Sequence, residues 1–311
     1  MSKKVLVTGS NGFVGKCLCA HLDSSGYDVY KSDIAPISSE KNYHACDISD
    51  PASISELFTK TGPVDYVIHL AAVTFVPDAA SAPTKVMDVN LNGTINLIDQ
   101  MKETAPEARL LFISSSEIYG ASENSPITEE HPLLPGNPYA ISKAAADQIC
   151  QYFFQNEGID IVRMRPFNHS GPGQSAQFVL SSFARQVAEI DSGKNEPVVR
   201  VGNLNVGRDF MHVEDVVRAY EMALTKATAG EVYNICSGEA RNIGDALKTL
   251  IGMTSTPVRI ETNESLVRSI DTPSIFGSHE KFTNETDWMP KKSFQDILEG
   301  LVGYWRERGA S

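Results

Sequence analysis

Lys4-Val5-Leu6-Val7-Thr8-Gly9-Ser10-Asn11-Gly12-Phe13-Val14-Gly15 joins a short apolar strand to the start of a helix through three glycines spaced three residues apart. Glycine permits the tight turn, and it lets backbone N–H groups at a helix N-terminus approach a pyrophosphate. A glycine triplet alone also fits a tight structural turn. Here strand, helix and N-terminal position agree, so Gly9, Asn11, Gly12, Phe13, Val14 and Gly15 are candidate dinucleotide contacts. The next strand ends at Ser32-Asp33, 18 residues after Gly15. A carboxylate there accepts hydrogen bonds from an adenosine ribose and repels a 2′-phosphate. No Arg or Lys follows it immediately, although Lys31 precedes it, so NAD(H) is favoured and NADP(H) stays possible. Asp47-Ile48 precedes a helix and is placed to contact adenine; a helix-capping role for Asp47 fits as well.

The strand–turn–helix unit repeats along the first half. Lys4–Thr8, Asp28–Lys31, Tyr66–Leu70, Leu110–Ser114 and Ile159–Arg165 read as strands, with helices over Gly12–Ser24, Pro51–Thr59, Pro83–Glu103 and Pro138–Asn156 between them. The strands are continuous apolar runs, as expected where helices cover both faces of a parallel sheet. The fold class is α/β, a doubly wound parallel Rossmann sheet with a smaller mixed α/β C-terminal lobe. After Pro166, Ser170–Gln177 is rich in Gly, Pro, Ser and Gln and reads as a mobile loop. A helix (Phe178–Ile190), a strand (Val198–Val201), a helix (Val213–Leu224) and a short strand (Val232–Cys236) follow. The expected division is 1–168 plus about 209–236 for the dinucleotide and about 169–208 plus 237–311 for the substrate.

The 311 residues carry 27 Lys+Arg against 39 Asp+Glu, a net charge of −12. That balance argues against a surface built to grip nucleic acid or an anionic membrane, since each needs a positive field. No apolar run approaches a membrane span, and Val5–Val7 is too short for a signal-peptide core. The five cysteines include no C-x-x-C and read as reduced thiols, so the expected compartment is the cytoplasm, with no metal site.

Tyr139-Ala140-Ile141-Ser142-Lys143 puts a phenol and an ammonium on one helix face, with Pro138 opening the helix. An ammonium beside a phenol stabilises the phenolate and is expected to bring its pKa from about 10 toward neutrality. The same pair by itself also fits a surface contact. Ser114-Ser115-Ser116-Glu117-Ile118-Tyr119-Gly120 lies at the end of a predicted parallel strand, where α/β sites are built.

With these motifs the chain resembles the extended short-chain dehydrogenase/reductase family over nearly its whole length. The resemblance includes His69-Leu70-Ala71-Ala72, Asn90-Leu91-Asn92-Gly93-Thr94 and Arg165-Pro166-Phe167-Asn168. It implies a catalytic triad of Ser115, Tyr139 and Lys143. It also adds Leu70, Ala71, Ala72, Asn90 and Pro166 to the cofactor contacts, with Tyr139 and Lys143 touching the cofactor as well. Asn90 could alternatively be only a structural cap. Arg165-Pro166-Phe167-Asn168-His169-Ser170-Gly171-Pro172-Gly173-Gln174 resembles the loop of GDP-6-deoxy-D-mannose reductases. That resemblance implies a GDP-linked 4-keto-6-deoxy sugar as substrate, of hexose or heptose type, in nucleotide-sugar and surface-polysaccharide biosynthesis. It places Ser116, Glu117, Asn168, Val179, Arg185, Val201, Arg208, Arg268 and Asp271 at the substrate, with Arg208 and Arg268 on the diphosphate. Each arginine alternatively fits a surface salt bridge. Dehydratases of the family carry a Thr-x-Glu whose glutamate removes the C5 proton. Ser115-Ser116-Glu117 keeps that glutamate behind a serine, and it is read as a substrate contact. The rivals are a 4,6-dehydratase or 4-epimerase holding NAD tightly, and a non-catalytic dinucleotide-sensing protein. The family also implies a homodimer through helices near 84–103 and 138–156. Ala144, Ala145, Ala146, Ile149, Tyr152 and Phe153 fit such a face, or equally a core-facing one.

Overall fold

The computed structural model describes residues 2–36, 40–122, 125–264 and 274–309, with the backbone alone at Pro77 and Asp78. In chain order the first half runs β1 (Lys4–Thr8), α1 (Phe13–Ser24), β2 (Asp28–Asp33), β3 (Tyr43–Ala45), α2 (Pro51–Thr61), β4 (Tyr66–His69), α3 (Val76–Ser81), α4 (Pro83–Met87), α5 (Gly93–Thr104), β5 (Arg109–Ile113), α6 (Pro138–Glu157) and β6 (Ile161–Pro166). The second half runs β7 (Asn168–Ser170), α7 (Val179–Asp191), β8 (Val198–Val201), β9 (Gly207–His212), α8 (Val213–Lys226), β10 (Val232–Ile235), β11 (Ala240–Asn242), α9 (Ile243–Ile251), β12 (Arg259–Thr262), β13 (Ser274–Ile275), α10 (Glu280–Thr286) and α11 (Phe294–Gly309).

Seven strands form one parallel sheet in the order β10-β6-β5-β4-β1-β2-β3. Period-two alternation feeds two cores, as a sheet covered on both faces requires. Val5, Val7, Leu111 and Ile113 pack into the cluster holding α1 and α8 residues. Leu6, Leu110 and Phe112 pack into the opposite cluster, with residues of α2, α5 and α6. The chain reverses between β1 and β4, and the loops at their C-terminal ends therefore meet at the switch point where α/β sites form. A third cluster joins α7, α9 and α11 to β8 and β9, beside a mixed sheet in which β9 pairs with β7, β11 and β13.

The stretch expected as one helix over Pro83–Glu103 is broken. A π-helical turn at Asp88–Asn92 separates α4 from α5, and the widened turn sets Asn90 inward. Three-residue strands such as β3, β7 and β11 carry too little pattern to be legible. The triplet-bearing face of α6 also divides. Ala146 and Phe153 join the sheet core, whereas Ile141 and Tyr152 are 43 % and 50 % exposed. All five cysteines are free. Among the described residues no helix is long and apolar enough to cross a membrane, and no group of three His, Cys, Asp or Glu is placed to hold a metal.

Candidate active site

The glycine loop divides its labour by geometry. Gly9 has φ +73°, and a Cβ there would lie 2.6 Å from the Ala71 nitrogen. A Cβ on Gly15 would lie 2.2 Å from the Gly9 oxygen, so that position lets α1 seat against the turn. At Gly12 the nearest atom to such a Cβ is 3.2 Å away, which leaves the helix N-terminus approachable. The loop thus has the cradle a dinucleotide pyrophosphate requires. Asp33 closes its far side, accepting from Asn11 N at 3.0 Å and Ile34 N at 2.8 Å. Asp47 accepts from Ser49 N and Oγ at 2.9 and 2.6 Å. The capping role falls instead to Asp50, which accepts from Ala52 N at the start of α2. A cavity of about 660 Å³ opens here, lined by Ile34, Asp47, Ser49, Pro83, Lys85 and Val89 among others. Ile48 is buried against Gly93.

A chain of buried hydrogen bonds runs from β1 to the helix that carries Tyr139. Thr94 Oγ1 donates to Asn90 O at 2.7 Å, so it accepts from His69 Nε2–H at 3.1 Å. His69 Nδ1 then accepts from Thr8 Oγ1 at 2.7 Å, and Thr8 Oγ1 accepts from Ala71 N at 3.3 Å. Burial pushes the His69 pKa down to about 3, so this ring stays neutral. Asn90 Oδ1 accepts from Val73 N at 2.8 Å, and Asn90 Nδ2 donates to Ser142 Oγ at 2.9 Å. Ser142 in turn donates to Tyr139 O at 2.7 Å. These bonds fix α6 relative to the ends of β1 and β4, the accuracy a reacting centre needs.

Ser115 ends the loop after β5 and accepts from Glu117 N at 3.2 Å. Its hydroxyl favours ionisation of the Tyr139 phenol. Lys143 Nζ donates to Ile113 O and lies 4.9 Å from the centroid of the Phe112 ring. The expected fall in the Tyr139 pKa is therefore corrected. Burial pushes it up to about 12, the Ser115 hydroxyl only partly opposes this, and the Glu117 charge adds to the rise. Burial outweighs any help from Lys143 because that ammonium is directed to a backbone carbonyl. Burial also brings Lys143 itself down to about 8.

In the second half of the chain, Pro166 ends β6, and Asn168 stands exposed on β7. Val179 opens α7; Arg185, one turn and a half further, pairs with Glu189 at 3.7 Å. Val201 is buried at the end of β8. Arg208 on β9 donates to Gly207 O at 2.8 Å. Buried Asp209 anchors that strand by accepting from Ser237 N, Gly238 N and Gly277 N. Arg268 and Asp271 lie outside the described residues. The segment expected to be a mobile loop is instead tied down. Ser170 belongs to β7, and Gln174 is buried with both ends of its amide hydrogen-bonded.

Sequence reasoning missed the long-range groups. Asp147 receives Arg163 at 3.0 Å and Arg165 at 2.9 Å, and Arg165 also donates to Tyr119 Oη at 2.9 Å. The arginine of the Arg165-Pro166-Phe167-Asn168 motif is thus structural. Two aromatic pairs, Phe13 with His169 and Phe75 with Phe178, join segments far apart in sequence. No local pattern announces such pairs.

Known proteins match this architecture along its length. The family model for GDP-mannose 4,6 dehydratase matches residues 6–301. GDP-6-deoxy-D-mannose reductase of Pseudomonas aeruginosa is 35 % identical over 310 residues, covering 99 % of each chain. The structure of RMD from Pseudomonas aeruginosa complexed with NADPH superposes with a TM-score of 0.89 at 34 % identity, covering 99 % of this chain and 100 % of that one. UDP-glucose 4-epimerase of Thermus thermophilus in complex with NAD gives a TM-score of 0.86 at 26 % identity, covering 97 % of this chain and 99 % of that one.

Proposed function

This chain belongs to the extended short-chain dehydrogenase/reductase family and is an enzyme of that type, and we propose that it reduces the C4 ketone of a GDP-linked 4-keto-6-deoxy sugar. The observation that carries the reading is a buried phenol, Tyr139, on a helix that Ser142 ties to Asn90 and Lys143 ties to the end of β5. A nicotinamide dinucleotide supplies the hydride. It would be held by Gly9, Asn11, Gly12, Phe13, Val14 and Gly15 at the pyrophosphate, Asp33 at the ribose, and Asp47 and Ile48 at adenine. Leu70, Ala71, Ala72, Asn90 and Pro166 would line its path. Tyr139 donates its proton to the oxygen on C4, and Ser115 hydrogen-bonds the same oxygen. Lys143 places a positive charge beneath the site, which favours the anion left on Tyr139 after proton transfer. Ser116, Glu117, Asn168, Val179, Arg185, Val201 and Arg208 would hold the nucleotide sugar in the lobe of residues 169–208 and 237–311. The exposed Ile141 and Tyr152 on α6 support self-association as a homodimer.

Deuteride at the 4-position of the nicotinamide tests the chemistry. With the label placed on each face of C4 in turn, the reading requires deuterium at C4 of the sugar product from one of the two, and product unlabelled by both would refute it. A second reading, 4,6-dehydration with retained NAD, draws on Glu117, whose charge acts on the Tyr139 hydroxyl. The two differ in whether the dinucleotide is consumed.

The protonation states also predict a pH profile. Tyr139, at about 12, stays an acid through the neutral range. Lys143 loses its charge as the pH rises through about 8. We expect kcat/KM for ketone reduction to be level from neutrality downward and to decline with an apparent pKa near that value. A profile still level about two pH units higher would contradict the assignment of Lys143.

A further inference from the structure

The two binding regions meet at one pair of rings. Phe13, in the first turn of α1 directly after the glycine cradle, lies parallel to His169 of β7, with centroids 6.3 Å apart and planes 6° apart. His169 donates from Nδ1 to Phe167 O at 3.0 Å, and its burial disfavours a charge on the ring. The following loop also approaches Phe13, for a Cβ on Gly173 would lie 3.9 Å from Phe13 Cδ2.

Behind these rings runs a line of buried hydrogen bonds. Gln174 Nε2 donates to His169 O at 2.9 Å, and Ser170 Oγ donates to Gln174 Oε1. Ser181 Oγ donates to Gln174 O at 2.7 Å, and Trp305 Nε1 donates to Ser181 Oγ at 3.0 Å. Ser170, Gln174 and Ser181 are all buried. Each bond is satisfied and each is costly to break, so the line moves as a unit. Its middle member, Ser181, sits on α7 between Val179 and Arg185. Ser181 thus links α7, which carries Val179 and Arg185, through Gln174 to the backbone carbonyl of His169.

We propose that His169 is a positioning residue that couples the two sites, so that nucleotide bound in the C-terminal lobe tightens dinucleotide binding through the Phe13–His169 contact. This rests on the binding roles given to the two regions above. Coupling between sites is reciprocal and commonly reaches about 5- to 150-fold in affinity.

The test is titration calorimetry of NADH with and without saturating GDP. For the native protein we expect GDP to tighten NADH at least about fivefold. His169→Ala should weaken NADH alone and abolish the GDP effect. Trp305→Phe, which removes the distant N–H donor and keeps an aromatic ring, should leave NADH alone unchanged and reduce the GDP effect to about twofold or less. His169→Phe, which keeps a flat ring against Phe13, should recover much of the affinity lost in the alanine variant. Equal NADH affinity with and without GDP in the native protein would overturn the coupling alone. So would a native GDP effect surviving in His169→Ala. Native protein that binds neither NADH nor GDP would overturn the functional reading and the coupling with it.

Discussion

Tyr139→Phe is expected to lower turnover by about a hundred- to ten-thousand-fold, the usual worth of a positioned general acid. Phenylalanine keeps the ring in its buried place on α6 and removes only the hydroxyl. Ser142, Asn90 and His69 hold the helix through other atoms, so the site should keep its shape. Dinucleotide affinity should therefore change by no more than about twofold, since the ring of Tyr139 is kept and every group of the glycine cradle, Asp33 and Lys143 is untouched. Steady-state kinetics and NADH titration on the same preparation check both halves. A variant that retains native turnover would remove Tyr139 as the acid, and one that loses NADH binding would show a structural collapse instead.

The largest effect on stability is expected at Asp147. Its carboxylate is fully buried and receives two guanidinium groups, Arg163 and Arg165, whose side chains are 6 % and 4 % exposed. Asp147→Ala strands both charges in a medium that solvates them poorly, at a cost of about 3–5 kcal/mol. For a chain of this length that corresponds to a fall of roughly 5–8 °C in Tm. Exposed pairs behave differently. Arg200 and Glu196 are 53 % and 58 % exposed, and Arg200→Ala should cost less than about 1 kcal/mol. The pH dependence follows from the arginines, which hold the Asp147 carboxyl below its ordinary 3.8 against the opposing effect of burial. A depressed folded pKa contributes stability above the unfolded value and loses it as the pH falls through the folded one. The deficit of the alanine variant should accordingly persist down to the ordinary carboxylate range and narrow only below it. Thermal unfolding of the three proteins at neutral and acid pH decides this. A deficit in Asp147→Ala no larger than that of Arg200→Ala would refute the buried-pair account.

What could be read from the sequence follows from the range over which each signal acts. The glycine triplet, the apolar strands and the Tyr139–Lys143 spacing are local patterns, and the parallel sheet follows from them with strand β1 matched at both ends. The break at Asp88–Asn92 was hidden because α4 and α5 share a helical rhythm across a turn widened by tertiary contacts of Asn90. The direction of the Tyr139 shift is hidden from the sequence for a related reason. Spacing brings a lysine to the same face as a phenol, yet only the packed structure shows Lys143 bonded to Ile113 O and the phenol deeply buried. Arg165 looked like part of a substrate motif. Its partners Asp147 and Tyr119 lie 18 and 46 residues away, so only the packed structure shows the buried pair. The Phe13–His169 contact spans half the chain, and nothing in either neighbourhood announces it.

The central claim is most directly tested by mixing purified protein with freshly made GDP-4-keto-6-deoxymannose and following nicotinamide absorbance, with NADH and NADPH supplied separately. Ketone reduction predicts one dinucleotide oxidised for each 4-hydroxy sugar formed, and the proposed contact of Asp33 with the adenosine ribose predicts that NADH is preferred. Sugar conversion with no net oxidation of either dinucleotide would contradict it and assign the site to internal redox chemistry.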